Sequence, residues 1–156
     1  MQFNINGDFM NQNKLNDLLN QNDDYDFINA LIDLVYGRYA ETEYENLNEV
    51  QRTLYLCCLI EDCCQADTLY TFIEEGMGKY LSDAVKSYDR IGAPKTSALL
   101  KQIINITPQN VIDGESPTDE ILDKIIETGS LISDYPDGVM HKIYFDYAKK
   151  HSTEIL

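Results

Sequence analysis

The residues with the most reactive chemistry in this chain are four cysteines, which occur as two adjacent pairs, Cys57-Cys58 and Cys63-Cys64. On a helix, Cys57 and Cys64 would share a face but lie roughly 10 Å apart along the axis, too far to bind one metal ion together. The chain has no Cys-x-x-Cys pair, and adjacent cysteines rarely form ordinary disulfides because such a bond needs a larger separation. The spacing therefore favours small buried thiols in a reducing compartment over a metal site.

No enzyme signature accompanies these cysteines. Gly76-Met77-Gly78 lacks the preceding strand and the length of a phosphate-binding loop, and no Ser or Cys has a His at a recognisable spacing. Glu74-Glu75 has the chemistry of an acid–base pair, but paired acids are common in so acidic a chain. His141 shares a helix with Tyr144 and Phe145, which favours a packed histidine over a catalytic one. We therefore predict a chain that is not an enzyme and that binds no metal or cofactor.

The cysteines lie within the stretch around which the chain is organised, residues 47–78. The apolar run at residues 54–60 and the apolar residues before it follow helical spacing. Either Asn46 or Asn48 can cap the first turn. Because the run is apolar on every side, we predict a central buried helix over about Leu47–Cys64. The run is short, so a buried strand remains the alternative.

Other helices are predicted where apolar residues recur at steps of three and four between caps and breakers. They cover Asn11 to Gln21, Asp23 or Asp24 to Gly37, Thr68 to Glu75, Tyr80 to Ile91, Pro94 to the break at Thr107-Pro108, Ser116 to Gly129, and Val139 to about Lys150. Residues 1–10 are predicted to be loop, and Thr42 and Glu45 are spaced as a capping box ahead of the central helix. No convincing strand alternation occurs. The prediction is an all-α, compact multi-helix single domain over residues 1–156.

The length and the N-terminus indicate a soluble protein. A chain of 156 residues is long enough to bury a core in one domain without disulfides. It contains no run of eighteen apolar residues, and its first residues lack the basic and apolar pattern of a signal sequence. We expect a cytoplasmic protein that makes no membrane contact.

Negative charge is the dominant compositional feature: 27 acidic residues against 12 basic residues give a net charge of −15. Residues 1–78 carry 15 acidic and 3 basic side chains, and residues 79–156 carry 12 and 9. Such a field repels nucleic acids and membrane surfaces and attracts basic proteins. Ordinary solubility would also account for the composition.

The order of helices and breaks resembles the C-terminal domain of a family of small acidic bacterial DNA-mimic proteins. The resemblance covers about residues 47–150 and rests on these features: the aromatic piece Leu69, Tyr70, Phe72 and Ile73, its end at Gly78, the unchanged Ile91-Gly92-Ala93, and the late aromatic helix Ile143–Tyr147. This chain departs from the family at Ala66-Asp67-Thr68, where Asn-Gly-Gly is usual. The resemblance implies an all-helical fold, a homodimer, and imitation of DNA toward a DNA-binding regulator.

Carboxylates at helical spacing can imitate phosphates, because positions i, i+4 and i+8 lie on one face about 6 Å apart along the axis. Two sets fit this spacing: Asp119, Asp123 and Glu127, which point away from the apolar face of their helix, and Glu41, Glu45 and Glu49, provided that the central helix begins early. We predict that these sets bind a basic DNA-binding protein or regulator, and that the chain binds no nucleic acid itself. Two alternatives stay open: an acidic immunity or inhibitor protein against a basic toxin or nuclease, and a helical protein of unknown function whose acidity serves only solubility.

Overall fold

The computed structural model describes residues 10–156, so the predicted loop at residues 1–10 lies outside the described residues except for Met10. Within the described part of the chain every regular element is helical and no strand occurs, which confirms the all-α prediction. The helices are α1 (Gln12–Asn20), α2 (Asp24–Leu34), α3 (Glu49–Ala66), α4 (Leu69–Phe72), α5 (Leu81–Ile91), α6 (Pro94–Ile106), α7 (Gln109–Ile112), α8 (Asp119–Ser133) and α9 (Met140–Lys150). The described residues also include π-helical turns at Val35–Tyr39 and Ile73–Met77 and 3₁₀ turns at Tyr44–Asn46 and Gly78–Tyr80. Of the α-helices, only the short α7 was not predicted.

The central buried helix is α3, which packs against α4, α5 and α8. It begins after Asn48, whose side chain accepts a hydrogen bond from the Gln51 N–H (2.8 Å), while the Gln51 side chain accepts one from the Asn48 N–H (3.0 Å). This reciprocal cap satisfies two backbone donors that a helix start would otherwise leave unpaired. Most of the surface of α3 is buried, while one stripe through Tyr55 and Leu59 is half-buried. A fully buried leucine such as Leu54 contributes about 2 kcal/mol. The predicted helix over Leu47–Cys64 is confirmed, with both ends two residues later, and the strand alternative is wrong.

The first and last parts of the described chain pack side by side. Phe27 of α2 meets Phe145 of α9 edge-to-face, with ring centroids 5.7 Å apart. The buried Tyr39 hydroxyl donates to the Ile155 carbonyl at 2.6 Å, which ties the C-terminal end to the π-helical turn after α2. One apolar cluster runs through these elements and α3, so residues 10–156 form a single compact domain.

The connection between α4 and α5 depends on two glycines for different reasons. Gly76 takes φ 85, a left-handed conformation that side chains disfavour. Gly78 has ordinary helical torsions, but a Cβ there would lie 2.5 Å from the Ile112 carbonyl oxygen. The absence of a side chain at Gly78 therefore allows α7 to pack closely against this connection.

The two ends of α8 differ from the prediction. The cap is Thr118, whose hydroxyl accepts from the Ile121 N–H at 3.3 Å, so Ser116 is not the cap. Gly129 does not end the helix, which continues to Ser133. Gly129 is buried against α4 instead, where a Cβ would lie only 2.9 Å from the Leu69 Cβ. A glycine that looks like a helix stop in the sequence is here the contact point between two helices.

The loop between α8 and α9 caps another helix. Asp137 accepts hydrogen bonds from the backbone N–H groups of Lys95 (3.0 Å) and Thr96 (2.7 Å) and from the Thr96 hydroxyl (2.8 Å). Ala93, the residue at the cap position of α6, provides no side-chain hydrogen bond. Asp137 therefore caps α6 although it lies 41 residues after Thr96 in the chain. Its negative charge also interacts favourably with the positive end of the α6 dipole.

Candidate partner-binding surface

Three carboxylates form a line along the solvent face of α8: Asp119, Asp123 and Glu127, which we call the α8 ridge. All three are exposed, whereas the opposite face buries Ile125 and Ile132. Over eight residues the helix rises about 12 Å, so successive ridge carboxylates are about 6 Å apart along the axis. The predicted spacing and exposure of this set are confirmed. The apolar face of α8 is narrow, because Ile126, the residue before Glu127, is 38% exposed.

Salt bridges between the described residues do not reach the α8 ridge. Neighbouring Glu120 pairs with Lys124 at 3.1 Å. Like charges at i and i+4 cost a helix a few tenths of a kcal/mol per pair. The hydroxyl cap of Thr118 and the acids in the first turn offset part of that cost, since acids interact favourably with the positive end of the helix dipole.

The second acidic set, Glu41, Glu45 and Glu49, is exposed but does not lie on one helix. Glu41 lies just after the π-helical turn, Glu45 lies in the 3₁₀ turn, and Glu49 is the first residue of α3. The condition that the central helix begin early is therefore not met, and the three carboxylates are not aligned at i, i+4 and i+8. The physical reason is the Asn48 cap, which starts α3 only after Leu47 has left the 3₁₀ turn in an extended conformation (φ −72, ψ 140).

Basic groups also interact with part of the second acidic set. Arg90 pairs with Glu49 (3.3 Å), and Arg52 donates to the carbonyl oxygens of Tyr44 (3.1 Å) and Glu45 (2.7 Å). The predicted capping box of Thr42 and Glu45 does not form, because the Thr42 hydroxyl donates back to the Arg38 carbonyl at 2.7 Å. This set therefore offers a partner fewer free charges than the α8 ridge.

A half-buried carboxylate that the sequence analysis did not select lies on α3. Glu61 accepts hydrogen bonds from the hydroxyls of Tyr144 (2.5 Å) and Tyr135 (3.3 Å), which join α3 to α9 and to the loop before it. Desolvation by burial raises the pKa of the Glu61 carboxyl, and the two tyrosine O–H donors partly oppose that rise. The local sequence pattern does not distinguish Glu61 from Asp62, the next residue of α3, which is exposed.

Glu61 lines a cavity of about 60 Å³ between α2, α3 and α9, which we call the Glu61 cavity. Asp62 and His141 also line it. The prediction that His141 is packed in the interior is wrong, because its side chain is exposed at the cavity. The reason is its position on α9: residue 141 faces solvent, whereas Tyr144 and Phe145 face the core.

The four cysteines are unpaired thiols, as predicted. Cys57, Cys58 and Cys64 are buried and Cys63 is half-buried. Burial raises the pKa of each thiol, to about 12 for Cys64 and to about 11 for Cys63. The thiolate is the nucleophilic form, so at neutral pH these groups are poor nucleophiles.

Within the described residues, no group of three or more His, Cys, Asp or Glu side chains is arranged to hold a metal ion. No helix in this part of the chain combines the length and apolar character that crossing a membrane requires.

An all-α chain with unneutralised carboxylates along an exposed helix belongs to the class of acidic helical proteins. A family model described as DMP19-like protein matches residues 45–151, and the chain belongs to this family. The match agrees with the resemblance predicted over residues 47–150, and it runs from the 3₁₀ turn before α3 to the end of α9. This family is not a known enzyme family. Comparisons with curated proteins and with solved structures gave no match.

The family-like segment contains the departure at Ala66-Asp67-Thr68. Asp67 and Thr68 both take negative φ (−151 and −140), and the Asp67 carboxylate accepts from the Thr71 hydroxyl at 2.9 Å. The turn therefore forms here without the left-handed conformation that favours glycine.

Proposed function

We propose that this chain is a non-enzymatic acidic binding protein that imitates DNA and occupies the DNA-binding face of a basic regulator or another DNA-binding protein. The observation that carries the proposal is the family match over residues 45–151. The net charge of −15 and the exposed, unpaired carboxylates of the α8 ridge support it, because basic DNA-binding surfaces recognise regularly spaced negative charge.

Charge density limits what the α8 ridge can do alone. A DNA strand carries about one charge per 3.4 Å of helix axis, whereas the ridge carries one per about 6 Å. The ridge therefore supplies roughly half the linear density of one strand, and a convincing mimic must combine it with other acidic surfaces. Glu41 and Glu45 of the second acidic set are exposed and available for this purpose.

We further propose a cytoplasmic homodimer, which would present two copies of each acidic surface. The dimer follows from the family resemblance, and sedimentation across the micromolar range tests it. A species of 17.9 kDa at every concentration would contradict the dimer.

The alternative partner is a basic toxin or nuclease, against which the chain would act as an immunity or inhibitor protein. Electrostatic steering favours both partners equally, but the family match favours the DNA mimic. If neither partner exists, the acidity serves only solubility.

The test is capture of partners from a lysate of the source organism at low and high salt, followed by competition with duplex DNA. The proposal expects a basic DNA-binding protein that is retained at low salt, lost at high salt and displaced by DNA. A basic toxin or nuclease whose activity the chain inhibits without competition from DNA would favour the inhibitor alternative. Absence of any salt-dependent partner would leave only the solubility explanation.

A further inference from the structure

The Glu61 cavity has features that ordinary solubility does not explain. It opens at the surface between α2, α3 and α9, and its lining combines apolar, aromatic and acidic side chains. Two of its lining residues, Ile32 and Tyr36 of α2 and the turn that follows it, are 44% and 49% exposed. An apolar rim around one half-buried and one exposed carboxylate is an unusual arrangement for a surface that serves only to be hydrated.

Among the groups that line this cavity His141 is basic, and its charge partly opposes the desolvation that raises the pKa of the Glu61 carboxyl. Within the described residues, no salt bridge reaches Glu61 or Asp62. The two Glu61 oxygens accept from Tyr135 and Tyr144, and one Asp62 oxygen accepts from the Tyr36 hydroxyl. Because an ionised carboxylate has about four acceptor positions, each acid can accept further hydrogen bonds from a ligand.

The size of the Glu61 cavity limits the ligand that it can hold. A volume of about 60 Å³ is far below the several hundred Å³ of a typical small-molecule site. The cavity therefore suits the head group of one side chain, presented by a macromolecule that also contacts the exposed rim.

We propose that the Glu61 cavity binds the guanidinium group of an arginine side chain from the basic protein partner. Asp62 and Glu61 would accept its N–H groups, and the exposed Tyr36 ring would lie against its planar face. Arginine fits better than lysine because its planar fork matches carboxylates and stacks on aromatic rings, and because it is more weakly hydrated. This inference rests on the proposed function and adds to it a specific anchoring contact, distinct from the α8 ridge.

The test uses the full-length chain and capped arginine (Nα-acetyl-arginine N-methylamide), with the imidazole NMR signals as reporters. His141 lines the cavity, whereas His151 lies ten residues further along, about 15 Å away by helix rise. Capped arginine should shift the His141 signals saturably and leave those of His151 unchanged. Capped citrulline, the uncharged isostere, should shift neither. A response to citrulline equal to that of arginine, or no saturable response to arginine, would overturn the proposal.

Substitutions locate the binding. Glu61→Gln keeps an acceptor for the tyrosine hydroxyls and should weaken capped-arginine binding at least about tenfold, the usual effect of losing a charged hydrogen-bond partner. Asp62→Asn, at an exposed position, should also weaken capped-arginine binding. If Glu61→Gln alters the helical signal, the result for Asp62→Asn decides whether the cavity binds arginine. Glu74→Gln is the matched control, since it removes the same charge from an exposed position outside the cavity lining. Equal weakening in this control, or equally tight binding of capped lysine, would overturn the assignment.

The measurement uses no protein partner, so its failure is distinguishable from failure of the proposed function. Suppose that capped arginine does not bind, but α8 ridge variants no longer bind a partner that duplex DNA displaces from the parent. Then only the proposed arginine site is wrong. If capped arginine binds but no partner competes with DNA, the cavity is confirmed and the DNA-mimic function is wrong.

Discussion

Replacement of Gly78 by alanine tests whether the fold depends on close packing of the α4–α5 connection against α7. Gly78 has ordinary helical torsions (φ −54, ψ −35), so alanine adds no backbone strain. The new methyl group would lie 2.5 Å from the Ile112 carbonyl oxygen and 3.3 Å from its carbonyl carbon. Because a relaxed carbon–oxygen contact is about 3.3 Å, the two segments must separate by roughly 0.8 Å. Overpacking of this kind costs about 1–3 kcal/mol, and the better helix propensity of alanine returns at most about 1 kcal/mol. We expect Gly78→Ala to lower the free energy of unfolding by about 1–2 kcal/mol.

Gly37→Ala is the matched control, because a Cβ there has no neighbour within 4 Å. This variant should gain about 0.5–1 kcal/mol by restricting the unfolded chain. Urea unfolding followed by circular dichroism measures both variants. With a slope of about 2 kcal/mol per molar urea, Gly78→Ala should lower the midpoint by about 0.5–1 M. A midpoint for Gly78→Ala at or above that of the parent would refute the packing argument, as would parallel shifts in the two variants.

Three further predictions concern the caps, the half-buried acid and the thiols. Thr118→Ala should cost about 1 kcal/mol in urea unfolding and Ser116→Ala less than about 0.5 kcal/mol; equal losses would contradict Thr118 as the cap of α8. Burial raises the pKa of the Glu61 carboxyl in the folded chain, so the stability linked to its protonation is present below the ordinary glutamate pKa and is lost as pH rises through the raised value. The melting temperature of Glu61→Gln should therefore rise relative to that of the parent as pH increases above the ordinary glutamate pKa. A difference in melting temperature that stays constant with pH would contradict the raised pKa. Among the thiols, half-buried Cys63 should react first with a disulfide reagent in the folded protein and the other three only on unfolding, so four equally fast native rates would be inconsistent with their burial.

The sequence predicted helices well where local rules act alone. The apolar run of α3 and the cap at Asn48 are both local, and both are present. The errors at α8 arise where local rules permit two answers. Ser116 and Thr118 are both good caps, and only the packed structure selects Thr118. Gly129 resembles a helix stop, but its contact is with Leu69, 60 residues earlier, which no local rule can find.

For the candidate surface too, features set by local sequence rules were predictable and features set by packing between distant segments were not. Exposure of the α8 ridge was predictable because it depends only on helical period and the opposite apolar face. The carboxylates of the second acidic set are not aligned, because a spacing of four residues lines up side chains only within one helix. The Asn48 cap starts α3 at Glu49, so no single helix contains all three acids. The Glu61 cavity was missed because its walls come from three helices, with Tyr144 lying 83 residues beyond Glu61 in the chain.

The central claim is tested most directly by measuring how tightly an α8 ridge variant binds the purified partner, the protein that duplex DNA displaces in the capture experiment. The variant carries Asp119→Asn, Asp123→Asn and Glu127→Gln, and its control carries Asp17→Asn, Asp26→Asn and Asp33→Asn. All three control positions are exposed and lie on α1 and α2, outside the family match, so both variants lose three charges. A third variant carries Glu41→Gln, Glu45→Gln and Glu49→Gln.

The DNA-mimic account predicts that the α8 ridge variant binds at least about tenfold more weakly and with a shallower salt dependence than the parent, while the control changes little. Circular dichroism should show the same helical signal in all variants, because the substituted side chains are exposed. If the variants of the α8 ridge and of the second acidic set both bind the partner as tightly as the parent, neither surface imitates DNA and its charge serves solvation.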